Sequence, residues 1–92
     1  MFCVVPSFVY ILQSESTGGF YVGYTADLER RVAEHSEGRG RWTATRGPWR
    51  LRYHEVYEDD SVARRRERAL KRAKSRRYLE WVCRHGPGVA AG

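Results

Sequence analysis

Apolar positions recur in two different rhythms along this 92-residue chain. Near its start, Phe8-Val9-Tyr10-Ile11-Leu12 and Phe20-Tyr21-Val22-Gly23-Tyr24-Thr25 are compact runs of aromatic and β-branched residues. Such runs favour strands, over residues 8–13 and 20–24. Ser14 to Gly19 lies between them, and its Thr17-Gly18-Gly19 supplies turn chemistry, so the pair reads as a β-hairpin. The rhythm then lengthens. Leu28, Val32 and His35 recur at helical spacing and predict a helix over 26–36, capped by Thr25 with Asp27 and Glu29 in its first turn. Arg31 lies beside that face, one turn before His35. Gly38 and Gly40 end this helix, and a loop spans 37–49. Alternation from Leu51 to Tyr57 predicts a third strand, followed by an acidic turn at Glu58-Asp59-Asp60. Ser61 caps an expected helix over 62–73, with Val62, Ala69, Leu70 and Ala73 as its apolar positions. Ser75 opens a last helix through Arg84, with Tyr78, Leu79 and Val82 facing inward. The order β-β-α-β-α-α implies an α+β fold, a small three-stranded antiparallel sheet flanked by helices. One domain is expected over 1–84, and 85–92 reads as a small-residue tail.

Composition sharpens this outline at two points. The net charge of +6 and pI near 9.8 favour an anionic partner. Of the 17 basic residues 15 are arginine, whose planar fork suits phosphate better than the hydrated point charge of lysine. Cys3 and Cys83 stand far apart with no CxxC or Cys/His spacing, which argues against a structural zinc site or a disulfide framework. A reducing cytoplasm is the expected compartment, associated with the nucleoid in a bacterium. No stretch approaches the length of a membrane span, and residues 1–6 lack the basic n-region of an export signal.

Several positions carry possible chemistry. Tyr10 and Tyr21 lie on adjacent strands of the hairpin and can present two hydroxyls to one patch of sheet. Arg31 can hold a phosphate oxygen, and His35 can orient water or assist proton transfer. Glu67 is the only acid between Arg64 and Lys74, so it is either a helical partner for Lys71 or a hard oxygen ligand for one Mg²⁺ or Mn²⁺. Arg39, Arg41 and Arg46 in the loop, and Arg64, Arg65, Arg68, Lys71, Arg72 and Lys74 on the basic helix, form the expected track for a nucleic-acid backbone. Trp42 and Trp49 either stack on an exposed base or anchor the loop. Glu55, Glu58, Asp59 and Asp60 read mostly as a turn and helix start, and His54 and His85 have no matching constellation. Neither a nucleophile elbow nor a glycine-rich phosphate loop is present.

Taken in order, roughly over residues 7 to 80, these pieces resemble the GIY-YIG nuclease superfamily. Phe8-Val9-Tyr10 stands at the first motif and Tyr21-Val22-Gly23 at the second. Asp27 to His35 is similar to that family's arginine helix, and Ala63 to Lys71 to its metal-ligand helix. Phe8 replaces the first motif's glycine, and both central isoleucines are valines. The resemblance implies cleavage of DNA through one divalent ion. Tyr10 and Tyr21 would be the motif tyrosines, Arg31 the catalytic arginine, His35 the helix histidine and Glu67 the metal ligand. Arg31 matches better than Arg30 because it lies ten residues after Tyr21. Which tyrosine acts as base stays open, as does DNA versus RNA.

Three functions compete: a metal-dependent DNA endonuclease directed to structure or damage, a nucleic-acid-binding module of the same fold with negligible turnover, and an interaction protein that docks an acidic partner. Larger relatives carry separate targeting domains, so substrate choice here is expected from the nuclease surface, a homo-oligomer or a protein partner.

Overall fold

The computed structural model describes residues 5–38, 47–73 and 75–86. Three strands form one antiparallel sheet: β1 (Ser7–Ser14), β2 (Phe20–Thr25) and β3 (Trp49–Tyr57), in the order β2-β1-β3. The helices are α1 (Leu28–Ser36), α2 (Asp60–Ala73) and α3 (Arg76–His85). The α+β order β-β-α-β-α-α is the one expected from the sequence.

The unbroken apolar run of β1 follows from its central place, since both faces of the strand are covered. On one face Tyr10 and Leu12 pack with Trp49, and Tyr21, Leu28, Val32 and Leu51 close around them. Helix α1 supplies Leu28 and Val32 here, as its spacing predicts. On the other face Val9, Ile11, Val22 and Tyr53 pack against Ala63 and Leu70 of α2 and Val82 and Cys83 of α3. A domain of this size has little core to spare.

Several local expectations are corrected. Asp27, not Thr25, caps α1, its carboxylate accepting from the Arg30 amide at 3.2 Å. Thr25 instead accepts from the Asp27 amide at 3.1 Å, holding the cap from two residues upstream. Asp59 does the same work for α2, accepting from both the amide and the hydroxyl of Ser61 at 2.8 Å. Carboxylates at these two starts also match the positive end of each helix dipole. The inward positions of α2 are Ala63 and Leu70, whereas Val62, Ala69 and Ala73 are exposed. Strand β3 begins at Trp49, because Trp49 pairs with Ser14 beyond a bulge that admits Arg52 as an extra residue. Ser75 caps α3 as expected, but Tyr78 is exposed and the helix extends through His85. Residues 87–92 of the expected tail, and Gly40, lie outside the described residues.

Candidate active site

Four side chains surround the Tyr10 phenol, and the sheet register explains the first. Tyr10 is 1% exposed and lies opposite Gly23 on β2, with Tyr21 opposite Leu12. Tyr10 and Tyr21 therefore share a sheet face along a diagonal, with ring centroids 6.3 Å apart. At Gly23, a Cβ would fall 2.5 Å from the phenolic oxygen and 2.6 Å from the ring carbon that bears it. The phenol thus lies across β2 in space that only glycine leaves open.

Helix α1 brings the next two groups. His35, 2% exposed in the last turn, sets Nε2 3.1 Å from the Tyr10 oxygen. Its ring centroid is 4.8 Å from that of Tyr21, and Trp49 packs edge-on to Tyr21 at 6.3 Å. One turn earlier, the Arg31 guanidinium lies close enough to the Tyr10 phenol to favour its ionised form. Its Nη1 also donates to Glu34 at 3.0 Å, and Glu34 takes Arg30 Nε with its other oxygen at 3.2 Å. The arginine is 37% exposed, so donors remain open toward solvent after both contacts.

Glu67 arrives on α2. Its side chain is 17% exposed, pairs with Lys71 at 3.4 Å, and is close enough to act electrostatically on Tyr10. The helical pairing with Lys71 is thus present, and the partly exposed carboxylate lies on the side of α2 that acts on the phenol. Among the described residues no three His, Cys, Asp or Glu side chains form a metal-binding group. A single carboxylate fits one hard cation that keeps most of its waters and takes further oxygens from a phosphate. It does not fit a caged structural ion.

Burial above all, and then neighbouring Tyr21, push the Tyr10 phenol up to about 12, although Arg31 pulls the other way. Burial first and Arg31 second hold His35 below its ordinary 6.5. At neutral pH a protonated phenol therefore faces a neutral imidazole. In the tautomer that leaves Nε2 unprotonated, the phenol donates its proton to His35 across this contact. Loss of that proton to His35 would leave a tyrosinate beside a guanidinium.

The wider basic track is only partly free. Arg65, Arg68 and Arg72 are exposed on α2. Arg64 is tied back, donating to the Tyr24 hydroxyl at 2.9 Å, lying over that ring at 5.5 Å and pairing with Asp60 at 3.2 Å. Arg39, Arg41, Arg46, Lys74 and Trp42 lie outside the described residues. Trp49 is buried and anchors the start of β3 rather than offering a stacking surface. Glu55 is removed from any metal role: Tyr53 and Tyr57 each donate to it at 2.5 Å, and Arg66 donates twice at 3.0 and 3.1 Å.

Residues 6–79 match the family described as the GIY-YIG catalytic domain. The chain belongs to the GIY-YIG family. That family is one of nucleases, so the site faces a nucleic-acid substrate. A UPF0213 protein of Halobacterium salinarum is 45% identical over 64 residues, covering 68% of this chain and 82% of the relative. One from Staphylococcus aureus is 38% identical over 76 residues, covering 82% and 92%. The solution NMR structure of a UPF0213 protein from Bacillus halodurans superposes with a TM-score of 0.56 at 36% identity, covering 89% of this chain and 88% of that one. Within this GIY-YIG chain, the second-motif glycine makes room for the first-motif tyrosine. Two residues escaped the sequence reading. Glu34 stands three and four positions after the arginines it clamps, a helical spacing that was open to inspection. The role of Gly23 required the register.

Proposed function

We propose that the protein is a divalent-metal-dependent DNA endonuclease, directed to branched or damaged DNA. The observation that carries this reading is the convergence of Tyr21, Arg31, His35 and Glu67 around the Tyr10 phenol. In this reading Tyr10 gives its proton to His35 and then takes one from the attacking water. The open donors of Arg31 bind the scissile phosphate and stabilise charge that grows on it. Tyr21 and Trp49 hold the imidazole in place and keep water from its ring. Glu67 would hold one Mg²⁺ or Mn²⁺, which when bound neutralises phosphate charge and eases departure of the leaving oxygen. Exposed Arg65, Arg68 and Arg72 supply sequence-independent attraction.

The Glu67–Lys71 pair favours a second reading, in which the carboxylate only steadies the helix and the protein binds nucleic acid without turnover. Incubating wild type and Glu67→Ala with duplex, flap, junction and single-stranded DNA in Mg²⁺, Mn²⁺ or EDTA separates the two. Cleavage by wild type alone, abolished by EDTA, is expected. Equal binding by both proteins with no cleavage in either metal would replace the endonuclease with the binding module.

A further inference from the structure

Helix α3 plays no part in the site around Tyr10, yet its outward face is unusual. Trp81 is 57% exposed, with its ring centroid 5.3 Å from that of His85 at the helix end. A single exposed tryptophan is ordinary by itself, so its meaning depends on the charges around it. At helical spacing around it stand Arg77 and Arg84, four residues before and three after. Arg76, Arg77, Glu80 and Arg84 join Gln13 of β1 in lining an open cleft of about 480 Å³. Arg76 reaches across to the hairpin, where a Cβ on Gly18 would meet its guanidinium at 2.7 Å. Glu80 is the one carboxylate of this helix and is already shared by Arg84 at 2.8 Å and Arg52 at 3.5 Å. Among the described residues, Arg76 and Arg77 form no salt bridge.

A solvated aromatic plane flanked by the guanidinium of Arg77, which forms no salt bridge among the described residues, and that of Arg84, which is 68% exposed beyond its bond to Glu80, matches one chemistry closely. An unstacked base offers a ring to the indole, and its flanking phosphates offer oxygens to the arginines. A blunt duplex keeps its bases stacked and hidden, so it can use the arginines but not the indole. An acidic peptide would pair with the arginines and leave the indole uncovered. We propose that α3 is a docking platform for a single-stranded DNA segment, with Trp81 stacking on one base and Arg77 and Arg84 holding the phosphates on either side. Gln13 points to the sheet face opposite Tyr10, so this platform lies across the sheet from the catalytic hydroxyl. It rests on the DNA-endonuclease reading for its ligand. A substrate with a single-stranded arm beside a duplex would engage both surfaces.

The test measures binding apart from cleavage, using Glu67→Ala as the parent protein. Fluorescence anisotropy would compare a single-stranded DNA oligonucleotide, its RNA equivalent and a blunt duplex. Adding Trp81→Ala should weaken single-stranded DNA binding about 5- to 150-fold while leaving duplex binding nearly unchanged. Trp81→Phe should restore much of the loss. Arg77→Gln with Arg84→Gln should lower the salt slope for the single strand by about 1.4, the share of two phosphates. Unchanged single-strand affinity in Trp81→Ala, an equal loss on duplex, or tighter binding of RNA would each overturn the platform. So would a Trp81-dependent shift in sedimentation of the free protein, since a second copy would then cover the face. The two readings fail separately. DNA cleavage by the Trp81→Ala single variant at the wild-type rate, with unchanged single-strand binding, removes the platform and keeps the nuclease. Trp81-dependent binding with no cleavage by wild type keeps the platform and removes the nuclease.

Discussion

The Tyr10 hydroxyl engages His35 directly, 3.1 Å from Nε2. Tyr10→Phe keeps the ring in the core but removes the hydroxyl that His35 addresses. Single-turnover cleavage should fall by about 10²- to 10⁴-fold, while Tyr21→Phe, which preserves the ring packing on His35, should lose less. Equal and mild losses would reduce both tyrosines to positioning roles. Gly23→Ala tests the same atom from the other side, because the new methyl would occupy the seat of the phenolic oxygen. Overpacking of about 1–3 kcal/mol is expected in chemical unfolding, together with a loss of cleavage larger than that destabilisation alone produces. A variant of normal rate would show that the phenol has no fixed place. All five candidate residues were nameable from the sequence, Glu67 as the lone acid of a basic run and the others through their places in the family's motifs. The seat at Gly23 was not, since it depends on which residue of β2 faces which residue of β1.

Helix α2 carries little apolar surface inward, Ala63 and Leu70 being its only buried residues, so polar contacts must help to seat it. Arg66 provides them by gripping Glu55 of β3, which also accepts from Tyr53 and Tyr57. Burial opposes ionisation of Glu55, but the Arg66 hydrogen bonds and then the two phenols outweigh it and hold its carboxyl below the usual range. Burial and then the bond to Glu55 push the Tyr57 phenol up to about 12, against the pull of Arg66. Glu55→Gln keeps the shape and loses the charge, leaving Arg66 half-buried beside a neutral amide. Unfolding in urea should report a loss of about 3 kcal/mol. A change within about 0.5 kcal/mol, the range of an ordinary surface substitution, would mean that the network is solvated and that α2 is held by its two apolar residues. Element order and type were legible because the strands are short aromatic runs and the helices open on clear cap residues. The caps were displaced because an Asp two residues away, Asp27 after Thr25 and Asp59 before Ser61, offered a better acceptor. Arginine at an inward helix position gives no hydrophobic signal, so the real buried face of α2 could not be read from periodicity.

At the scale of the whole molecule, stability and catalysis share a titration. His35 is held below 6.5 in the fold by burial and by Arg31, whereas the unfolded chain binds a proton at the ordinary value. Below pH 6.5 the unfolded state therefore carries more protons than the native state, and stability falls as the pH drops toward the native pKa of His35. The slope from this one group cannot exceed about 1.4 kcal/mol per pH unit. Glu55 acts in a lower window: its native pKa is depressed below 4.5, so its contribution is whole above that pH and is lost on further acidification. Thermal melts from pH 8 to pH 4 should thus show a flat region, a first decline beginning near pH 6.5, and a steeper one below 4.5. His35→Gln isolates the first decline, because every other group is common to both proteins and cancels in the difference. The variant should be less stable at pH 7 yet lose less on going to pH 5. The acid limb of the cleavage profile should begin in the same interval in wild type, since a protonated imidazole can no longer take the proton of Tyr10. Parallel melting curves would show that His35 is not the buried neutral group, and the proton path from Tyr10 would then have to end on solvent.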